Sequence, residues 1–144
     1  MNKGKLSAAI EFSVEFYDVD SMHIVWHGNY IKYFEKARCA LLEKIGYGYP
    51  QMTESGYAFP VTEIQSKYIK PLFFFFFIRV TASLEEYESI LRISYVIQDL
   101  KTGEVTTKGK SSQVAIKIDT RTTCFDCPDV LIKRVQTLMA QEGL

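Results

Sequence analysis

"YDVDSMHIVWHGNYIKYFEKARCALL", residues 17–42, joins a turn to a helix, and the join organises the rest of the chain. From Tyr30 the apolar side chains recur at helical spacing: Tyr30, Tyr33, Phe34, Ala37, Leu41 and, further on, Ile45. Lys32, Glu35, Lys36, Glu43 and Lys44 fall on the opposite side, so the spacing predicts one long amphipathic helix. Gly46 supplies its stop, and Gly48-Tyr49-Pro50 argues against immediate resumption. The turn holds Asp18 and Asp20 and both histidines of the protein, His23 and His27.

Upstream, "AIEFSVEFYD" alternates, with Phe12, Val14 and Phe16 on one face and Glu11, Ser13 and Glu15 on the other, which predicts a half-buried strand. Downstream, "PQMTESG" reads as a short helical turn. "YAFPVTEIQSKYI", "FFFFIRVTASLEEY", "SILRISYVIQDL" and "EVTTKGKSSQVAIKID" then read as four strands. The third meets the fourth through "KTGE", a hairpin turn in which Gly103 is available for positive φ. "DVLIKRVQTLMAQ" closes the chain as an amphipathic helix with Val130, Ile132, Val135 and Leu138 on its apolar side. The order β-α-β-β-β-β-α predicts an α+β fold: an antiparallel sheet of about five strands around one long helix, plus a C-terminal helix.

The 144 residues suit a single domain, 1–144, with a core of its own. Seventeen basic side chains cancel seventeen acidic ones, so no bulk attraction to nucleic acid or anionic membrane is expected. The first residues contain no apolar stretch of signal-peptide length, and "PLFFFFFIRV" is too short to span a bilayer. Cys39, Cys124 and Cys127 make no even disulfide framework, which fits a reducing, cytoplasmic setting. "CFDC", residues 124–127, lacks the further ligands a zinc site needs, and its thiols read as passive. In an alternating strand Phe73, Phe75 and Phe77 would face one way and Phe74 and Phe76 the other. Two apolar faces suit a strand covered by core on one side and a partner subunit on the other, so self-association is expected.

The turn carries the chemistry. A helix start presents unpaired N–H groups and the positive end of the helix dipole, and Gly28 leaves the amides there unshielded by a side chain. Such a place polarises a carbonyl oxygen and holds an oxyanion. A carboxylate on the neighbouring strand end could attack that carbonyl or activate water to do so. On residue types alone, Asp and Asn ahead of a helix read equally well as caps and turn formers.

The same stretch resembles the signature of hotdog-fold acyl-CoA thioesterases, in the 4-hydroxybenzoyl-CoA thioesterase and Tol–Pal-associated thioesterase branch. The matching positions are Tyr17, Asp18, Asp20, Ile24, Val25, His27, Gly28, Asn29 and Tyr30, followed by "YFEKAR" at 33–38 and "KYIKP" at 67–71. The resemblance implies that Asp20 is the catalytic nucleophile or general base. The His27 amide would donate to the thioester carbonyl while its side chain assists, and Asp18 would fix the loop. Val25, Gly28, Asn29 and Tyr30 would meet the substrate, as would His23, which stands where relatives usually carry glycine. Coenzyme A, part of the substrate, needs cations, and Lys67 and Lys70 are candidates, with Lys108, Lys110 and Arg121 behind them. The acidic "LEEYES", residues 84–89, opposes a phosphate there, which leaves room for an acyl-carrier-protein thioester. No metal or other cofactor is implied, and a homodimer or homotetramer is. Two alternatives remain open: a hotdog enoyl-CoA hydratase or dehydratase, since Asp18 and His23 have a suitable spacing, and a non-catalytic acyl-thioester binder.

Overall fold

A computed structural model of the chain describes residues 4–144. In order, these form β1 (Ser7–Ser13), α1 (Asn29–Ile45), α2 (Tyr49–Glu54), β2 (Tyr57–Ala58), β3 (Val61–Tyr68), β4 (Phe77–Glu86), β5 (Leu91–Asp99), β6 (Val105–Gln113), β7 (Ile116–Lys117) and α3 (Asp129–Gln141). Five strands make one antiparallel sheet in the order β1-β4-β5-β6-β3, and β2 pairs with β7 in a separate two-stranded ribbon.

The central strands of the sheet carry the alternation that buries one face. Along β5, Leu91, Ile93, Tyr95 and Ile97 are buried while the residues between them stay half open. On β4, Ile78, Val80, Ala82 and Leu84 are buried likewise, with Ser83 buried between the last two. Against that face lies α1, which buries Tyr30, Tyr33, Phe34, Ala37, Arg38, Leu41, Leu42 and Ile45. Gly46 ends the helix as its residue type predicts: at φ 84° its N–H reaches the carbonyls of Leu42 and Glu43, both at 3.0 Å.

The contact that seats α1 on the sheet is Phe34, 1% exposed and stacked on Tyr95 with ring centroids 4.6 Å apart. Beneath it is Gly109 of β6. A Cβ there would stand 2.6 Å from two Phe34 ring atoms and 2.9 Å from the Gln65 carbonyl oxygen, so the glycine is required by close approach. The expected hairpin between β5 and β6 is present, with Gly103 at φ 77°.

Three expectations change. Two segments expected as single strands are divided: 57–69 at Phe59 and Pro60, and 104–119 after Gln113, so that Tyr57–Ala58 of the first pairs with Ile116–Lys117 of the second outside the main sheet. β1 ends at Ser13, and Phe16 lies in a 3-10 turn, Phe16–Asp18, where it is 69% exposed. The chain turns there because the Asp18 N–H donates to the Glu15 carbonyl (2.9 Å) and the Glu15 N–H to the Asp18 carboxylate (3.0 Å).

The phenylalanine run is the third. β4 begins only at Phe77, so Phe73 to Phe76 form a turn and the alternation of faces expected there does not occur. Their backbone is claimed by loops: the Phe74 N–H donates to His23 (3.2 Å), the Phe75 N–H to Val14 (3.4 Å), and the Val14 N–H to Phe76 (2.8 Å). Phe75 sits at φ 77°, a conformation that favours glycine, and is 78% exposed. Five identical side chains carry no polar alternation to mark where a strand starts.

All three cysteines are free, and Cys127 is buried. Burial, followed by the nearby carboxylates Glu86 and Asp126 and the Cys124 thiol, pushes the Cys127 thiol up to about 12. Iodoacetamide at pH 8 is therefore expected to leave Cys127 unmodified in the folded protein and to modify it fully in guanidinium. Peptide mass analysis reads the difference.

Candidate active site

Asp18, 6% exposed, is the pin on which the turn is built. Its carboxylate accepts the Tyr33 hydroxyl at 2.9 Å and the Glu15 N–H at 3.0 Å. Its carbonyl accepts the Trp26 N–H at 3.0 Å and the Asn29 side-chain amide at 2.8 Å. Burial, then the hydrogen bond to Asp18 and its negative charge, drives the Tyr33 pKa upward, so the phenol remains a donor at any ordinary pH. Tyr33→Phe leaves a buried carboxylate short of a partner and is expected to cost about 2 kcal/mol in urea unfolding.

Between the two halves of this turn, Val19 and Val25 form an antiparallel bridge. The Asp20 N–H donates to the Ile24 carbonyl and the His23 N–H to the Asp20 carbonyl, each at 2.9 Å. This tight loop puts His23 at φ 65°, the conformation glycine adopts most easily. The Asp20 carboxylate is oriented by one bond, the Met22 N–H on Oδ1 at 2.8 Å. Its other oxygen has no hydrogen bond among the described residues.

Asp20, Ile24, Val25, His27 and Tyr30 line an open cleft of about 320 Å³. Its other wall is the end of β3 and the residues after it: Tyr68, Ile69, Lys70 and Pro71. Tyr30 and Tyr68 meet edge to face across it, centroids 4.7 Å apart. α1 starts at the cleft with Gly28 as its N-cap and no side chain capping it. The Asn29 N–H is taken by the Trp26 carbonyl at 2.8 Å, whereas the amides of His27 and Gly28 donate to no carbonyl among the described residues. A half-free carboxylate and the unclaimed His27 amide thus flank one cavity, a geometry suited to attack on a polarised carbonyl carbon.

Of the residues singled out from the sequence, Asp20, His27, Val25, Tyr30 and Lys70 come together in the cleft. His23, Gly28, Asn29 and Lys67 are not among its lining residues. His23 is an exposed turn residue, and Asn29 spends its side chain on Asp18. Lys67 is exposed on β3 opposite Lys108, and Lys70 is ion-paired with Glu104. Gly28 has helical φ and ψ, and what lies against it is the Trp26 indole. Tyr68 and Pro71 were legible only as part of "KYIKP", and Trp26 was not singled out, although it is the one tryptophan of the chain.

Residues 14–136 match the thioesterase-like superfamily. The chain belongs to that family. A protein of Bacillus subtilis (strain 168), "Putative acyl-CoA thioesterase YneP", is 32% identical over 107 residues, 74% of this chain and 77% of its own. The crystal structure of a DHNA-CoA thioesterase from Staphylococcus aureus superposes with a TM-score of 0.79 at 29% identity, over 96% of this chain and 95% of that one. The 1,4-dihydroxy-2-naphthoyl-CoA thioesterase Slr0204 from Synechocystis shares the fold alone, at 14% identity and a TM-score of 0.80 over 90% and 95% of the two chains. Family membership bears out the hotdog fold expected from the resemblance, and with it the reaction class: the protein is an enzyme that hydrolyses thioesters. No helix among the described residues is long and apolar enough to cross a membrane.

Proposed function

We propose that this thioesterase cleaves acyl-CoA to free acid and CoA in the cleft between the Asp20 turn and the end of β3. The observation that carries the proposal is that the Asp20 carboxylate and His27, whose amide is bare at the helix start, border one cavity. The thioester carbonyl oxygen accepts from the His27 amide, which with the helix dipole stabilises the negative charge that develops on it. Either Asp20 takes a proton from a water that attacks the carbonyl carbon, or it attacks that carbon itself to give a mixed anhydride that water then hydrolyses to free acid; in both, the C–S bond breaks and the CoA thiolate leaves and is protonated. His27 lines the same cleft and assists. Ile24, Val25, Tyr30 and Tyr68 give the acyl group an apolar lining.

The phosphates of CoA extend beyond this cleft, whose lining includes one lysine, Lys70. Lys70 is committed to Glu104, and Glu85 is held by Lys5 and Ser94. That favours loose contact with the nucleotide end and makes a carrier-protein thioester the second substrate to test. The enzyme works as a homodimer or homotetramer in the cytoplasm. The open edge of β3, with Val61 and Tyr68 exposed at its two ends, supports an assembly that covers this edge.

A panel of acyl-CoA and acyl-carrier-protein substrates, followed by free-thiol detection, tests the reading. Thiol release from acyl-CoA is the expected result. Ligand binding without thiol release, or hydration of an enoyl-CoA in place of cleavage, would refute it. Size-exclusion chromatography with light scattering is expected to return twice or four times the monomer mass.

A further inference from the structure

His27 borders the cleft, yet among the described residues nothing donates to or accepts from its ring. An assisting imidazole needs something to hold its orientation, usually a carboxylate or carbonyl on the second nitrogen. Here the ring contact is the Trp26 indole, centroid to centroid 4.9 Å and tilted by 47°. The backbone of Trp26 is clamped on both sides, its N–H by the Asp18 carbonyl (3.0 Å) and its carbonyl by the Asn29 N–H (2.8 Å). Its side chain, by contrast, is 52% exposed and so is not held by burial in the core. The indole also rests on Gly28: a Cβ at that position would lie 2.2, 2.6 and 2.7 Å from three atoms of its six-membered ring. With φ −67° and ψ −22°, Gly28 has a backbone that alanine adopts freely. The glycine is there for the tryptophan and not for the turn.

We propose that Trp26 is a positioning residue for thioester hydrolysis: its indole, seated on the bare Cα of Gly28, fixes the His27 imidazole at the edge of the cleft. The proposal rests on the reading of that cleft as the site of cleavage. It explains together why residue 28 has no side chain, why His27 has no polar partner and why a large aromatic ring stands in solvent at the helix start.

The test uses the full chain and two readouts. Trp26 is the protein's one tryptophan, so emission excited beyond the tyrosine band reports the surroundings of this indole. His27→Ala and Gly28→Ala are each expected to change its intensity or wavelength, and emission unchanged by both would overturn the contact. In steady-state kinetics with an acyl-CoA, Trp26→Ala is expected to lower kcat about tenfold with KM within about threefold, the mark of a displaced reacting group. Trp26→Phe restores most of the loss. Gly28→Ala lowers kcat similarly, but in the Trp26→Ala background it adds no further loss, because the ring it would displace is gone. Losses that multiply in the double variant, or wild-type kcat in Trp26→Ala, would overturn the proposal. If instead the wild type releases thiol from no thioester while its emission still responds to His27→Ala, the reaction assigned to the cleft falls and takes the catalytic part of this proposal with it. Unchanged emission beside intact turnover overturns the proposal alone.

Discussion

Asp20→Asn is expected to lower kcat by about 10²–10⁴-fold, the range for loss of a positioned acid–base or nucleophilic carboxylate. Asparagine keeps the Oδ1 acceptor, so the Met22 N–H remains satisfied and the turn keeps its shape. What is lost is the second oxygen, the one without a partner among the described residues, together with the negative charge. The thermal midpoint should move little, because no buried contact is removed. Thiol release measured beside a melting curve separates the two effects. Turnover near that of the wild type in a folded Asp20→Asn protein would remove the carboxylate from the mechanism.

The second large effect is on stability. Phe34→Ala is expected to cost about 3–5 kcal/mol, the usual penalty for deleting a buried aromatic ring. Against a typical total of about 5–15 kcal/mol this brings the protein close to unfolding. Gly109→Ala approaches the same contact from below and should cost about 1–3 kcal/mol by overpacking, since the Gln65 backbone cannot retreat as a side chain could. Urea titration reads both. If Phe34 is the neighbour that matters most, Phe34→Leu should soften the Gly109→Ala penalty, and full additivity of the two would argue against the seat described here. The contact also bears on catalysis. Phe34 stands six residues beyond Gly28, about 9 Å along the helix axis, so lifting the ring tilts the end of α1 that borders the cleft.

Much of this was legible in the sequence because it rests on periodicity. The spacing from Tyr30 to Ile45 is the helix that is found, Gly46 is its stop, and the alternation of residues 91–99 is the middle of the sheet. The sites of error share a cause. Phe16 continues the alternation of β1, but a local bond between Asp18 and Glu15 outweighs it. The five phenylalanines have no alternation at all, and the loops from Val14 and His23 decide their path. Within the candidate site, Asp20 and His27 are near in sequence and come together in the cleft. The opposite wall, Tyr68 to Pro71, arrives through the sheet, and only a resemblance could have brought it forward. Trp26 escaped notice because an aromatic residue before a helix has many uses. Its meaning depends on what it touches.

The phenylalanine knuckle has a consequence at the bench. Phe73, Phe75 and Phe77 are all more than 40% exposed at one end of a molecule with no net charge and a pI near 6.7. Close to neutrality little electrostatic repulsion keeps such ridges apart, and sulfate strengthens their attraction. Solubility should pass through a minimum between pH 6 and 7, and replacing Phe75 with lysine should lift that minimum more than the same change at a polar surface position.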